Sequence, residues 1–103
     1  MSQIQFERKW IEQCAAARRV KEHFGLTNAL DYLIGEKLLS FAEVAERSAE
    51  FKQELPDFLQ ESRSVFRLEE TGEYAALLEQ TRPLSPLQRE VLRALSSASV
   101  HVH

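Results

Sequence analysis

Residues 30–47 read LDYLIGEKLLSFAEVAER, and this stretch decides the fold. Wound at about 100° per residue, the segment gathers most of its apolar side chains on one broad side. These side chains are Leu30, Leu33, Ile34, Leu38, Phe41, Val44 and Ala45. The pattern predicts a central helix that begins after an N-cap at Thr27 or Asn28 and ends at about Arg47.

A first helix is predicted from Phe6 to Phe24, where apolar residues recur at spacings of 4, 7, 3 and 4. The residues of this stripe are Phe6, Trp10, Ala17, Val20 and Phe24. Gly25 follows directly, and a glycine in the left-handed conformation satisfies the carbonyl groups at a helix end. The first helix is therefore expected to end at Phe24.

The segment after the central helix is predicted to be broken into short pieces. Ser48 is an N-cap residue, and Pro56 disfavours helical geometry at the residue before it, so a corner is expected at 54–56. Helical spacing continues beyond the corner until Gly72, which is expected to bend or divide the chain before a further amphipathic run at 74–78.

The last helix carries the clearest local signal, the sequence Leu84-Ser85-Pro86-Leu87-Gln88. Ser85 stands at the N-cap, Pro86 at the first helical position, and Gln88 completes a capping box. The apolar face of this helix comprises Leu87, Val91, Ala94, Leu95 and Ala98. The tail at about 97–103 is expected to be mobile.

Composition agrees with a helical fold. Fourteen Leu, fourteen Glu and eleven Ala far outnumber the twelve Val, Ile and Thr, and Gly and Pro contribute three each. The prediction is an all-α protein, a compact single-domain bundle of about five helical segments over residues 1–103. The leading core candidates are Trp10, Phe24, Leu33, Leu38, Phe41, Phe58 and Phe66.

Cysteine usage and hydropathy indicate a compartment. Cys14 is the single cysteine, and no window of about eighteen apolar residues exists. Residues 1–7 lack the basic-then-apolar order of a secretory signal. A cytoplasmic protein that does not enter a membrane is expected.

Charge argues against a simple nucleic-acid binder, because 13 Lys+Arg against 16 Asp+Glu give a net charge of −3. A helix-turn-helix reading of residues 40–57 fails because its second helix contains three acids and a proline. The alternative function is a helical transcriptional or nucleic-acid-binding regulator that uses the basic surface of the first helix. Its phosphate-contacting residues would be Arg18, Arg19 and Lys21.

Several residues have chemical potential but ordinary structural explanations. Cys14 lies in mid-helix and is expected to pack as a small apolar side chain. Lys37 falls within the apolar stripe of the central helix, and its stem is expected to pack while its ammonium reaches the surface or a carboxylate; a low-pKa amine is the alternative. His101 and His103 supply only two metal ligands, fewer than a zinc site needs.

Enzyme motifs are missing from the sequence: it has no Gly-rich phosphate loop, no nucleophile elbow and no zinc-protease motif. We therefore expect neither catalysis nor a cofactor or metal. The function predicted is a non-enzymatic protein-interaction module of bacterial type, acting as a homodimer, an adaptor or an inhibitor of a larger protein.

The predicted partner-binding face lies opposite the apolar stripe of the central helix. Tyr32 and Leu39 provide apolar contacts there, among the acidic residues Glu36 and Glu43. The other interpretation is that a second segment of the same chain covers Tyr32 and Leu39.

Overall fold

A computed structural model of the chain describes the backbone of residues 3–96 and the side chains of residues 9–96. The described residues form five helices: α1 (Gln3–Phe24), α2 (residues 26–45), α3 (Ala49–Arg63), α4 (Leu68–Thr81) and α5 (Pro86–Ser96). The predicted all-α bundle is confirmed. The tail at 97–103, with His101 and His103, lies outside the described residues.

The central position of α2 is confirmed. It packs against α1, α3 and α5, and hydrogen bonds join it to α4 and the residue after α4. Helix α2 is α-helical at both ends but is a π-helix over Asp31–Leu38, where backbone hydrogen bonds span five residues. The buried core on and around it includes Leu33, Ile34, Leu38 and Phe58.

Three of the predicted helix boundaries are confirmed. Gly25 has a φ of 95°, and its amide donates to the Lys21 carbonyl at the end of α1. The Ser48 hydroxyl accepts a hydrogen bond from the Phe51 amide at the start of α3. Ser85 and Gln88 form the capping box, each accepting from the other's backbone amide at 3.2 and 2.9 Å.

The predicted N-cap of the central helix is wrong. Neither Thr27 nor Asn28 caps α2, because the helix begins at Leu26 directly after Gly25. The Asn28 side chain instead donates to the Phe24 carbonyl at 2.8 Å. The sharp chain reversal at Gly25 leaves room for only one residue between α1 and α2.

The predicted corner at 54–56 is also wrong, because α3 continues through Pro56. Leu55 and Phe58 are buried on either side of the proline, and the Trp10 indole N–H donates to the buried Glu54 carboxylate at 3.3 Å. These tertiary contacts outweigh the local cost of proline, about 3 kcal/mol in a helix interior.

Gly72 does not divide the chain, since it lies inside the continuous helix α4. The buried Thr71 hydroxyl donates to the Leu95 carbonyl of α5 at 3.2 Å, and Tyr74 and Ala75 are buried beyond it. Packing on α5 therefore holds this helix together across its glycine.

Most of the predicted core is buried, with two exceptions. Phe24 is 69% exposed, because it is the last residue of α1 and the chain reverses immediately after it. Phe41 is only partly buried, with its ring edge-on to Phe58 at a centroid distance of 5.0 Å. Trp10, Leu33, Leu38, Phe58 and Phe66 are buried as predicted.

Gly35 marks the tightest approach between α2 and α4. The Tyr74 hydroxyl lies too close to the position of a Cβ on Gly35 for both atoms to fit, and it donates to Asp31 Oδ1 at 2.6 Å. The Arg82 guanidinium donates to the Gly35 carbonyl at 2.8 Å. Burial, and then the hydrogen bond to the Asp31 carboxylate, raise the pKa of the Tyr74 phenol well above its usual range.

We expect Gly35→Ala to destabilise the protein, because the new methyl displaces the Tyr74 ring and breaks its bond to Asp31. Overpacking costs about 1–3 kcal/mol, against a gain of about 1 kcal/mol from helix propensity. Urea unfolding measures the difference. Gly72→Ala is the matched control: its Cβ meets Ser96 Cβ at 3.7 Å, an ordinary contact, so it is expected to stabilise by about 1 kcal/mol.

Removal of the Tyr74 hydroxyl tests whether its close approach causes the destabilisation by Gly35→Ala. In a Tyr74→Phe background, Gly35→Ala is expected to cost less than in the wild type, because the nearest remaining ring atom lies at 3.5 Å. An equal cost in both backgrounds contradicts the close approach of Tyr74.

Candidate functional site

The predicted partner-binding face loses Leu39, one of its two apolar residues, to the core of the chain. Leu39 is 4% exposed, and its carbonyl accepts the Gln88 side-chain amide of α5 at 3.1 Å. Tyr32 is half-buried, and its hydroxyl donates to Gln13 Oε1 of α1 at 2.6 Å. Other segments of the same chain cover both residues, which was the second interpretation of the sequence.

The π-helix explains why Leu39 is buried. Hydrogen bonds that span five residues place more residues in each turn, so each residue rotates by less than the 100° of an α-helix. The difference accumulates over Asp31–Leu38. A projection at 100° per residue therefore assigns Leu39, which follows this segment, to the wrong side of α2.

The charged residues of the predicted face lie at the surface. Glu36 and Glu43 are exposed. Lys37 lies 3.8 Å from the Glu36 carboxylate, with its ammonium 5.4 Å from the centre of the Tyr32 ring. The Lys37 ammonium thus reaches a carboxylate, as one interpretation of the sequence predicted.

The three basic residues of α1 do not form one open surface. Arg18 donates to Glu61 Oε1 at 3.2 Å and to Ser64 Oγ at 2.7 Å. Lys21 donates to the Val65 carbonyl at 3.0 Å. These two residues hold α1 against the end of α3, whereas Arg19 is exposed. Phosphate binding by this set would compete with these contacts of Arg18 and Lys21.

Cys14 is fully buried, with its sulfur 3.9 Å from the Ser62 hydroxyl. Burial raises the pKa of this thiol from 9.0 to about 11, although the bond to Ser62 acts in the opposite direction. A protonated, inaccessible thiol is a poor nucleophile. Cys14 therefore acts as a small side chain of the core.

A groove between α3 and α5 has a volume of about 380 Å³. Leu55 and Val91 are buried and form its floor. The apolar walls are formed by Pro56, Leu59, Leu87 and Ala94, and the polar margin by Lys52, Gln60, Arg63 and Glu90. The groove thus combines an apolar interior with a charged margin, as binding sites commonly do.

Local sequence explains both walls of this groove. The capping box at Ser85 starts α5 so that Leu87, Val91 and Ala94, at spacings of 4 and 3, share one side. On α3, Leu55 and Leu59 are four residues apart. The sequence predicts the apolar side of each helix. It does not predict that these two sides, which lie about 30 to 40 residues apart in the chain, face each other in the fold. Sequence reasoning therefore missed the groove.

A smaller pocket of about 260 Å³ lies among α1, α2 and the start of α3. Its lining includes the core rings of Trp10, Phe41 and Phe58, with Lys9 and Lys37 also among the lining residues. It lies beside the aromatic core, where Phe41 contacts both Phe51 and Phe58.

Within residues 9–96, no group of three or more His, Cys, Asp or Glu side chains is placed to hold a metal ion. Among the described helices, none is both long and apolar enough to cross a membrane.

Comparison of the chain with protein-family models, with curated proteins and with solved structures gives no match. Its function therefore has to follow from its own geometry.

Burial of Cys14 predicts slow reaction with thiol reagents. At pH 8 the folded protein is expected to react with a disulfide reagent far more slowly than the chain unfolded in guanidinium chloride, which contains one thiol. Absorbance of the released thiolate measures the rate. Equally fast reaction of folded and unfolded chains contradicts the burial of Cys14.

The raised pKa also predicts a loss of stability at high pH. The unfolded thiol ionises near pH 9, whereas the folded thiol stays protonated to about 11, so the free energy of unfolding falls as pH rises through this window. Cys14→Ala removes this component and shows a shallower decline.

Proposed function

We propose that this protein is a non-enzymatic protein-interaction module, and that the groove between α3 and α5 takes one helix of another protein. The groove itself carries the proposal, because it places six apolar residues side by side along two helices. Concave apolar surfaces of this kind receive the apolar side of a partner helix.

The dimensions of the groove favour a short helix as the occupant. Along α3 the lining extends from Lys52 to Arg63, which corresponds to about 16 Å at 1.5 Å per residue. Three helical turns cover the same length. A helix with apolar side chains at i, i+4 and i+7 would place all three in the groove.

The absence of reactive side chains near the groove supports binding rather than catalysis. Its lining contains neither cysteine nor histidine among the described residues, and its charged groups stand at the margin. Cys14, the one thiol of the chain, is buried between α1 and α3 instead. A binding surface requires none of these reactive groups.

Site-specific photo-crosslinking tests this proposal. With p-benzoylphenylalanine in place of Leu59, irradiation of cells that express the protein is expected to give an adduct whose added mass differs from 11.9 kDa. Glu73 is exposed on α4, away from the groove lining, so the same replacement there is the control and is expected to give no such adduct.

Three outcomes contradict the proposal. One is no adduct at Leu59, and another is the same adduct at Leu59 and Glu73. An adduct of twice the chain mass shows that a second copy occupies the groove, and it contradicts binding of a different protein. Circular dichroism of both variants verifies that the helices are retained.

A further inference from the structure

We infer that the helix bound between α3 and α5 is acidic and carries a hydrogen-bond donor in the middle of its apolar side. This inference rests on the proposed function and specifies the chemistry of the partner. Two independent features of the groove support it: the sign of its charges and the proline in its wall.

The groove is basic in an acidic part of the chain. Residues 43–79, all within the described part of the structure, contain ten acids and four bases, a net charge of −6. None of those ten acids lines the groove. Its charged lining residues are Lys52, Arg63 and Glu90, a net charge of +1. The acids are placed elsewhere, so the groove is complementary to a negatively charged partner.

The positions of the two cationic residues along α3 match the length of the groove. Lys52 and Arg63 lie eleven residues apart on α3, about three turns, one toward each end of the groove. An acidic residue near one end of a three-turn helix would meet the Lys52 ammonium, and the apolar side chains beyond it would meet Leu55 and Leu59. The charges thus favour an acidic helix of the same length as the groove.

Pro56 supplies the second feature. A proline has no amide hydrogen, so the carbonyl of Lys52 receives no hydrogen bond from position 56. Because Lys52 and Pro56 both line the groove, the hydrogen bond missing between them lies on the groove side of α3. The groove therefore offers a backbone acceptor beside its apolar floor.

The Lys52 carbonyl is a hydrogen-bond acceptor beside an apolar floor. It therefore favours a side chain of the bound helix that is largely apolar and carries one hydrogen-bond donor. The Trp indole combines a large apolar ring with one N–H and has no acceptor to leave unsatisfied. A Trp at the central apolar position of the bound helix would pack in the groove and donate to the Lys52 carbonyl.

Designed peptides test the charge preference. The probes are fluorescein-labelled peptides of about 15 residues with Leu, Trp and Leu at i, i+4 and i+7, and with either Glu or Lys at the polar positions. Fluorescence anisotropy is expected to show at least tenfold tighter binding of the acidic peptide at low salt, with the difference shrinking as salt rises.

Charge variants of the protein provide the matched control. Lys52→Glu is expected to weaken the acidic peptide about fivefold or more, because it places a like charge at the groove. Arg19→Glu makes the same change of charge at an exposed site on α1 and is expected to alter affinity less than twofold. If the two variants weaken binding equally, the preference for the acidic peptide follows from the net charge of the protein and not from the groove. That result overturns the inference.

The hydrogen bond is tested by removing either partner. A peptide with 3-benzothienylalanine in place of Trp keeps the ring shape but lacks the N–H, and it is expected to bind wild type about three- to tenfold more weakly. Pro56→Ala supplies the missing amide to the Lys52 carbonyl, so the two peptides are expected to bind this variant equally. Its Tm should rise by about 5 °C or more, which separates lost binding from lost folding.

Each contrary result has a defined meaning. Equal affinity of the Trp and benzothienyl peptides for wild type, or preference for the basic peptide, overturns the inference. Failure of every peptide to bind also overturns it, while the proposed function stands if Leu59 still gives its specific adduct. Loss of that adduct contradicts the proposed function itself.

Discussion

The close approach of Tyr74 to the backbone of Gly35 is the contact on which the arrangement of the helices depends. It requires a residue without a Cβ at position 35, and it brings the phenol within 2.6 Å of the Asp31 carboxylate. Arg82 then reaches the Gly35 carbonyl from the chain that follows α4. These contacts join α4 to α2, and α5, which packs on α2, α3 and α4, lies beside α3 with the groove between them.

The proline of α3 illustrates how packing changes the meaning of a local signal. In isolation Pro56 predicts a corner, because it removes a hydrogen bond and disfavours helical geometry before it. In the folded chain Trp10, Leu55 and Phe58 secure the helix on both sides of that position. The same residue that predicts a break thus becomes part of a continuous helix that forms one wall of the groove.

Sequence reasoning found the parts of the candidate site without its assembly. The capping box at Ser85 and the spacing of Leu87 and Val91 predict α5 and its apolar side, and both are confirmed. Leu39 was predicted on an outer face but is buried, because the π-helix alters the rotation per residue and single-sequence periodicity assumes one constant rotation. The groove was missed because its walls come from distant parts of the chain.

The amino-acid sequence by itself determined that the chain is helical and that α2 is its centre. It also determined the ends of helices marked by Gly25, Ser48 and Ser85, because residue preferences and side-chain capping act over a few neighbouring positions. Tertiary structure alone decided that α3 continues through Pro56, that Leu39 is covered and that α3 and α5 enclose a groove. Those outcomes depend on contacts between residues far apart in sequence, whose free energies exceed the local preferences they override.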